Sequence, residues 1–419
     1  MTGNDSLIQQ SNSETPPSLR ISQQTPSSAV LATGFIEMSQ QALHGTACKG
    51  CRRRGRKCDR TLPTCLSYVD DLSTIFYLGD GLRDNPMFCY VLPLINSVPP
   101  IRFAIAASAS CHMAAKNSDE ALEQKSLYLR VRATHFLRER LKDSSIATDQ
   151  ATLASILMLA QVDMCSGDCF EFETHLKAAV AILRGRHNEE SVDRFYFEQR
   201  LVWLDIISST SSSRAPNFTA KEVNMALHRH SNADGREWSY DVFPCPIDLF
   251  EMLVDITMLY KSHQNRDYPT EKELKHVDYM MGRLRKWESR QSLFGSRKHM
   301  VEAWRFGIMA YLAQLFPAFS TIDQGSHLTS QVLHHAKLIP PASSWSYSLL
   351  WPIFQIGIAL ESGQSQEKDW IRSRLKLAYE AVGCRHFRNA ADTLELVWEP
   401  RTQGGFVANG IYERTIILA

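Results

Sequence analysis

Cys48, Cys51, Cys58 and Cys65 fall within eighteen residues, in the run Cys48-Lys49-Gly50-Cys51-Arg52-Arg53-Arg54-Gly55-Arg56-Lys57-Cys58-Asp59-Arg60-Thr61-Leu62-Pro63-Thr64-Cys65. Four thiolates this close complete a tetrahedral shell around zinc, and the two-residue gap between the first pair suits one tight turn. Seven bases lie inside the run, Lys49, Arg52, Arg53, Arg54, Arg56, Lys57 and Arg60, against the single acid Asp59. A backbone fixed by metal and lined with cations has the chemistry to grip phosphate oxygens. The expectation is a zinc-dependent nucleic-acid contact over residues 47–68. The stretch Arg52 to Lys57 also has the composition of a nuclear-import signal.

The charge is local to that run. The whole chain of 419 residues carries a net +1, and outside the run 39 bases face 44 acids. A small basic module therefore precedes a mildly acidic body. Hydrophobic content of 44% and charged content of 22% are those of a globular chain long enough for a sizeable core. The remaining cysteines, Cys89, Cys111, Cys165, Cys169, Cys245 and Cys384, are scattered, as small hydrophobes in a reducing compartment are. No signal peptide is expected at the start of the chain, and the apolar stretch 101–113 is too short to cross a bilayer. No membrane partner is expected.

Residues 1–46 are rich in Ser, Thr, Gln and Pro without period, and are expected to be disordered. From residue 69 to 419 the pattern is helical. Leu122, Leu129, Ala133, Phe136, Leu137 and Leu141 share one face of a helix over 119–142. Thr148 or Asp149 caps a second, apolar nearly all round, and Phe172 to Leu183 forms a third that stops at Gly185. Further helices are predicted over 192–208, 247–262, 271–288, 298–316, 327–338, 346–361, 367–382 and 387–398, with almost no strand pattern and no fixed repeat. The fold class is all-α, a small cysteine-rich zinc module followed by a large helical regulatory domain.

Other chemistry-bearing residues read as structural. Cys165 and Cys169 stand four apart, a spacing open to a redox pair, but core or surface thiols are the simpler reading. His175 and His334-His335 have no carboxylate or second histidine at ligand spacing, and read as ordinary helix residues. Trp304, Phe306, Trp351, Phe354 and Trp398 suit either a ligand pocket or a core, the core being the commoner use. The sequon Asn217-Phe218-Thr219 is incidental without a secretory signal. There is no Gly-rich phosphate loop, no His-Glu-x-x-His helix and no Gly-x-Ser-x-Gly elbow, so no enzyme is expected.

The front run resembles the fungal binuclear zinc-cluster transcription factors. The match covers Cys48, Cys51, Cys58, Cys65, the basic stretch after Cys51 and the Pro63 turn. The resemblance implies that these cysteines ligate zinc, with the first and fourth bridging to a second ion, and that Arg52, Arg53, Arg54, Arg56 and Lys57 lie on the helix that enters the DNA major groove. The body resembles the fungal-specific transcription factor domain through Asn85-Pro86, Val91-Leu92-Pro93, the Ala-rich stretch to Ala115, Leu349-Leu350-Trp351-Pro352-Ile353-Phe354 with Gly357, and Val397-Trp398. This second resemblance implies a nuclear, pathway-specific regulator of RNA polymerase II transcription, of the kind found beside secondary-metabolism genes. Its implied partners are double-stranded DNA, a possible second copy in a homodimer and a possible small-molecule effector.

One departure matters. The family carries a fifth cysteine two residues after the fourth and then a sixth, whereas here Leu66-Ser67-Tyr68 follows Cys65 and the next cysteine is Cys89. Either a segment after Ser67 is missing from this sequence, or the protein carries half a cluster. The second case makes the chain a helical sensor or partner-binding protein that no longer contacts DNA.

Overall fold

The computed structural model describes residues 72–73, 77–79, 85–185, 194–228, 241–263, 269–290, 292–317, 322–361, 363–399 and 418. The segment 1–46 and the cysteine-rich run lie outside them. Fourteen α-helices and no strand are present among the described residues, which is the all-α body expected.

A one-turn π-helix, Met87–Val91, and a 3-10 turn, Leu92–Leu94, lead into α1 (Pro99–Asn117). Pro99 starts α1 where its missing N–H is no loss, and Ser118 ends it in the left-handed region at φ 51°. Asp119 then caps α2 (Glu120–Lys142) by accepting from the N–H groups of Ala121 and Leu122. Asp149 does the same for α3 (Gln150–Ser166) through Thr152. Residues 152 to 160 of α3 are all buried, so this helix is enclosed on every side.

The chain continues through α4 (Phe172–Gly185), α5 (Arg194–Thr210), α6 (Ala220–His228) and α7 (Ile247–His263). Next come α8 (Glu271–Lys286), α9 (Gly295–Leu315) and α10 (Ile322–Lys337). Last are α11 (Ser344–Tyr347), α12 (Leu350–Ile358), α13 (Ser365–Val382) and α14 (Arg385–Trp398). The core has two centres that share α14. In one, α1 packs on α2 and α3 and also receives α13; in the other, α9 packs on α10 and α12. Because α14 touches both α3 and α12, the last helix closes the first layer onto the second.

Two differences from the sequence expectation have physical reasons. The single helix predicted over 346–361 is two, α11 and α12, with Ser348 and Leu349 between them. Pro352 lacks an N–H and its ring would strike the carbonyl of residue 348, so it sits in the first turn of a new helix. The nine-residue α6 was not predicted, being too short for its period to show. No single helix among the described residues is long and apolar enough to cross a membrane. The π-turn segment and α1 reach that composition only together, across a 116° bend, and the apolar side chains of α1 line the core.

Candidate functional site

The predicted ligands Cys48, Cys51, Cys58 and Cys65, and the predicted DNA contacts Lys49, Arg52, Arg53, Arg54, Arg56, Lys57 and Arg60, lie outside the described residues. What the structure details is the helical body immediately behind them.

Its entry is organised by Asn85. The Asn85 side chain accepts from the Met87 N–H at 3.0 Å just ahead of the π-helix, and its amide donates to the Ser73 carbonyl at 3.0 Å. Beside this turn is a cavity of ≈ 40 Å³ lined by Asn85, Met87, Gln161, Tyr196 and Arg200 among others. That is room for about three waters, far below the roughly 300 Å³ that small-molecule sites begin at. Tyr196, on the cavity wall, has its ring against Tyr90 and its hydroxyl directed to the Met87 sulfur at 3.7 Å.

The most charged interior feature ties α2, α3 and α4 together. Asp163, with no exposed surface, takes Arg130 on Oδ1 and the His175 ring Nδ1 on Oδ2, each at 2.8 Å. Arg130 reaches on to Asp168 at 2.6 Å. Burial pushes the Asp163 carboxyl up, and the His175 and Arg130 contacts work against that shift. His175 is thus no ordinary helix residue. Its carboxylate partner stands twelve residues away on the neighbouring helix, a spacing that no local motif reveals. Asp205, also fully buried, gathers the loop between α5 and α6: it accepts from the Asn217 N–H, the Phe218 N–H, the Asn217 amide and Arg214. This places Asn217 of the sequon in a hydrogen-bonded turn.

The family model for the fungal specific transcription factor domain matches residues 66–407. The chain belongs to that family. No curated protein and no solved structure gives a significant match. The family is one of transcription regulators.

Within this transcription factor domain the sequence anchors meet in space. Gly357 of α12 leaves room for Leu394 of α14, whose methyl carbons would stand 2.9 Å from any Cβ placed there. The indole N–H of Trp398 donates to the Gly357 carbonyl at 2.8 Å. Gly307 does the same for the crossing of α9 and α12, since an added Cβ would lie 3.0 Å from Pro352. Two of the aromatic residues weighed as a pocket, Trp304 and Trp351, belong to a buried ladder. Trp304 stacks on Trp351 at 5.0 Å and 8°, Trp203 leans on Trp304 at 5.3 Å, and Tyr311 meets Trp351 edge-on. Trp304, Trp351 and Phe354 are buried in the core, and Phe306 and Trp398 pack against it partly buried.

Two residues have partners that sequence spacing hid. His335 of α10 faces His299 of α9 with 3.1 Å between their Nδ1 atoms, and burial pulls the His335 imidazole down to about 4. A hydrogen bond with one proton between two neutral rings accounts for this approach. Among the described residues no cluster of three or more His, Cys, Asp or Glu side chains is arranged to hold a metal. Cys165 is buried in the core and does not pair with the partly exposed Cys169. Its sulfur instead lies 3.3 Å from that of Cys384, 219 residues away.

Proposed function

We propose that this protein is a zinc-dependent, sequence-specific DNA-binding regulator of RNA polymerase II transcription that acts in the fungal nucleus. The observation that carries the reading is the succession, in one chain, of a four-cysteine basic run ending at Cys65 and a fungal transcription factor domain matched from residue 66. Four soft thiolates suit zinc, and this donor set fills one tetrahedral site; a second ion lacks two of its ligands. Cys48, Cys51, Cys58 and Cys65 would hold the metal, and zinc would supply folding free energy to a segment too small for a core of its own. Arg52, Arg53, Arg54, Arg56 and Lys57 would then face the major groove, with Lys49 and Arg60 adding phosphate contacts. The helical body regulates this contact, with dimerisation through a second copy and a small-molecule effector as its expected inputs. Control of a single biosynthetic pathway is the biological setting that suits the family.

DNA selection from a random pool, followed by titration against salt, tests the reading. If all seven bases meet phosphates, log affinity falls against log salt with a slope of roughly −6. Cys51→Ser abolishes both zinc retention and binding. A slope near zero, or unchanged binding in Cys51→Ser, overturns it.

A second reading rests on the missing cysteines after Ser67. In it, the chain is a helical sensor that holds at most one zinc and has no base preference. A selected consensus sequence rules this out.

A further inference from the structure

The structure brings two core thiols together beneath the joint between α13 and α14. Cys165 lies one residue before the end of α3, and Cys384 is the N-cap of α14, in the two-residue link Gly383-Cys384 that follows α13. Both have no exposed surface, and their sulfurs are 3.3 Å apart. We propose that Cys165 and Cys384 are an oxidisable dithiol, closed to a disulfide by a hydroperoxide when the α13–α14 joint opens.

Three contacts shut this joint. The His112 ring of α1 bonds to the Val382 carbonyl, Arg385 pairs with Glu123 of α2 at 2.6 Å, and the Asn389 amide donates to the Gly167 carbonyl at 2.8 Å. While they hold, the contact with Cys384 and then burial keep the Cys165 thiol protonated, and a protonated thiol is a poor nucleophile. Release of α14 uncovers both sulfurs together, because Cys384 leaves with the joint and Cys165 lies under it. Arg385 and Glu123 are each more than a third exposed, so this latch is the weakest part of the closure.

The chemistry balances with hydrogen peroxide as oxidant. One thiolate attacks an oxygen, the O–O bond breaks, and a sulfenic acid forms as hydroxide takes up the thiol proton and leaves as water. The second sulfur displaces the sulfenic oxygen as a second water, and the S–S bond forms. Two electrons and two thiol hydrogens pass to the peroxide. The product ties α3 to α14, so it locks the last helix onto the first layer of the regulatory body.

The test uses the full-length protein, reduced and then treated with hydrogen peroxide, alkylated under denaturing conditions, digested and mapped by mass. The expected product is a peptide pair joined through Cys165 and Cys384, lost on treatment with dithiothreitol. Glu123→Ala, which removes the exposed latch without touching either thiol, speeds its formation several-fold, and in Cys384→Ser the Cys165 thiol stays alkylatable. Two alkylated thiols after treatment that oxidises the exposed Cys89 overturn the proposal, as does sulfinic acid at either position without a cross-link. An equal rate in Glu123→Ala overturns the gating by the joint.

Discussion

Trp351 shows how much one side chain carries at the residue scale. It is fully buried, stacks on Trp304, meets Tyr311 edge-on, and donates its indole N–H to Thr210 at 2.8 Å. Trp351→Ala removes the ring, leaves a cavity and leaves the Thr210 hydroxyl only its bond to the Ile207 carbonyl, so a loss of about 3–5 kcal/mol is expected in urea unfolding. His386 sets a pH dependence. Burial lowers its imidazole from 6.5 to about 4 in the folded chain, so between those values the unfolded state binds the proton that the folded state refuses. Stability is then complete above pH 6.5 and falls as pH drops towards 4, by up to about 3 kcal/mol from this group. His335, shifted in the same direction, adds to the fall. The decisive comparison is therefore between proteins: His386→Gln has a shallower acid limb than the unsubstituted chain, and an identical limb would remove His386 as its source.

Elements are punctuated by caps and glycines, and these have separable costs. Gly383 ends α13 at φ +65°, and an added Cβ would stand 2.8 Å from the His112 carbonyl oxygen, which is backbone and has little room to yield. Gly295, at φ +53°, has nothing within 4 Å. Gly295→Ala is expected to cost only the left-handed conformation, about 1 kcal/mol, whereas Gly383→Ala adds the clash and costs about 3 kcal/mol. Equal losses in thermal unfolding would mean that the α1 contact at the joint is unimportant. At the start of α8, Thr270 and Glu273 form a reciprocal capping box. Thr270→Ala there costs about 1 kcal/mol.

For the whole molecule, the informative division is between the front run proposed to bind zinc and a core-held body. Among the described residues the core runs from Leu72 onward and is built from apolar side chains of α1 to α14 and the turns before them. Chelation of zinc is therefore expected to abolish DNA binding while the helical circular dichroism and the main unfolding transition of the body persist. Collapse of the helical signal on chelation would show that the body depends on the metal. The closing of α14 over α3 and α12 also makes the C-terminal helix part of the stability of both layers, so the substitution at Gly383 is felt by the entire body rather than by α13 alone.

By itself the sequence determined the helical class, most helix positions and, between Thr148 and Asp149, the cap of α3, because the 3.6-residue period and side-chain capping are local properties of the chain. It also supplies the donor set on which the zinc proposal for the front run rests, since four cysteines at short spacing need no tertiary contact to be read as candidate ligands. Only the tertiary structure decided who meets whom. The Asp163–His175–Arg130 knot, the His299–His335 approach and the Cys165–Cys384 contact join residues from different helices. The same holds for the choice between pocket and core at Trp304 and Trp351: both uses demand aromatic residues at helical spacing, and only the packing of α9 against α12 brings the two rings into a stack. Pro352 marks the boundary between the two kinds of knowledge. Its missing N–H is written in the sequence, but that it lies in the first turn of a short helix, against Gly307, is seen only in the tertiary structure.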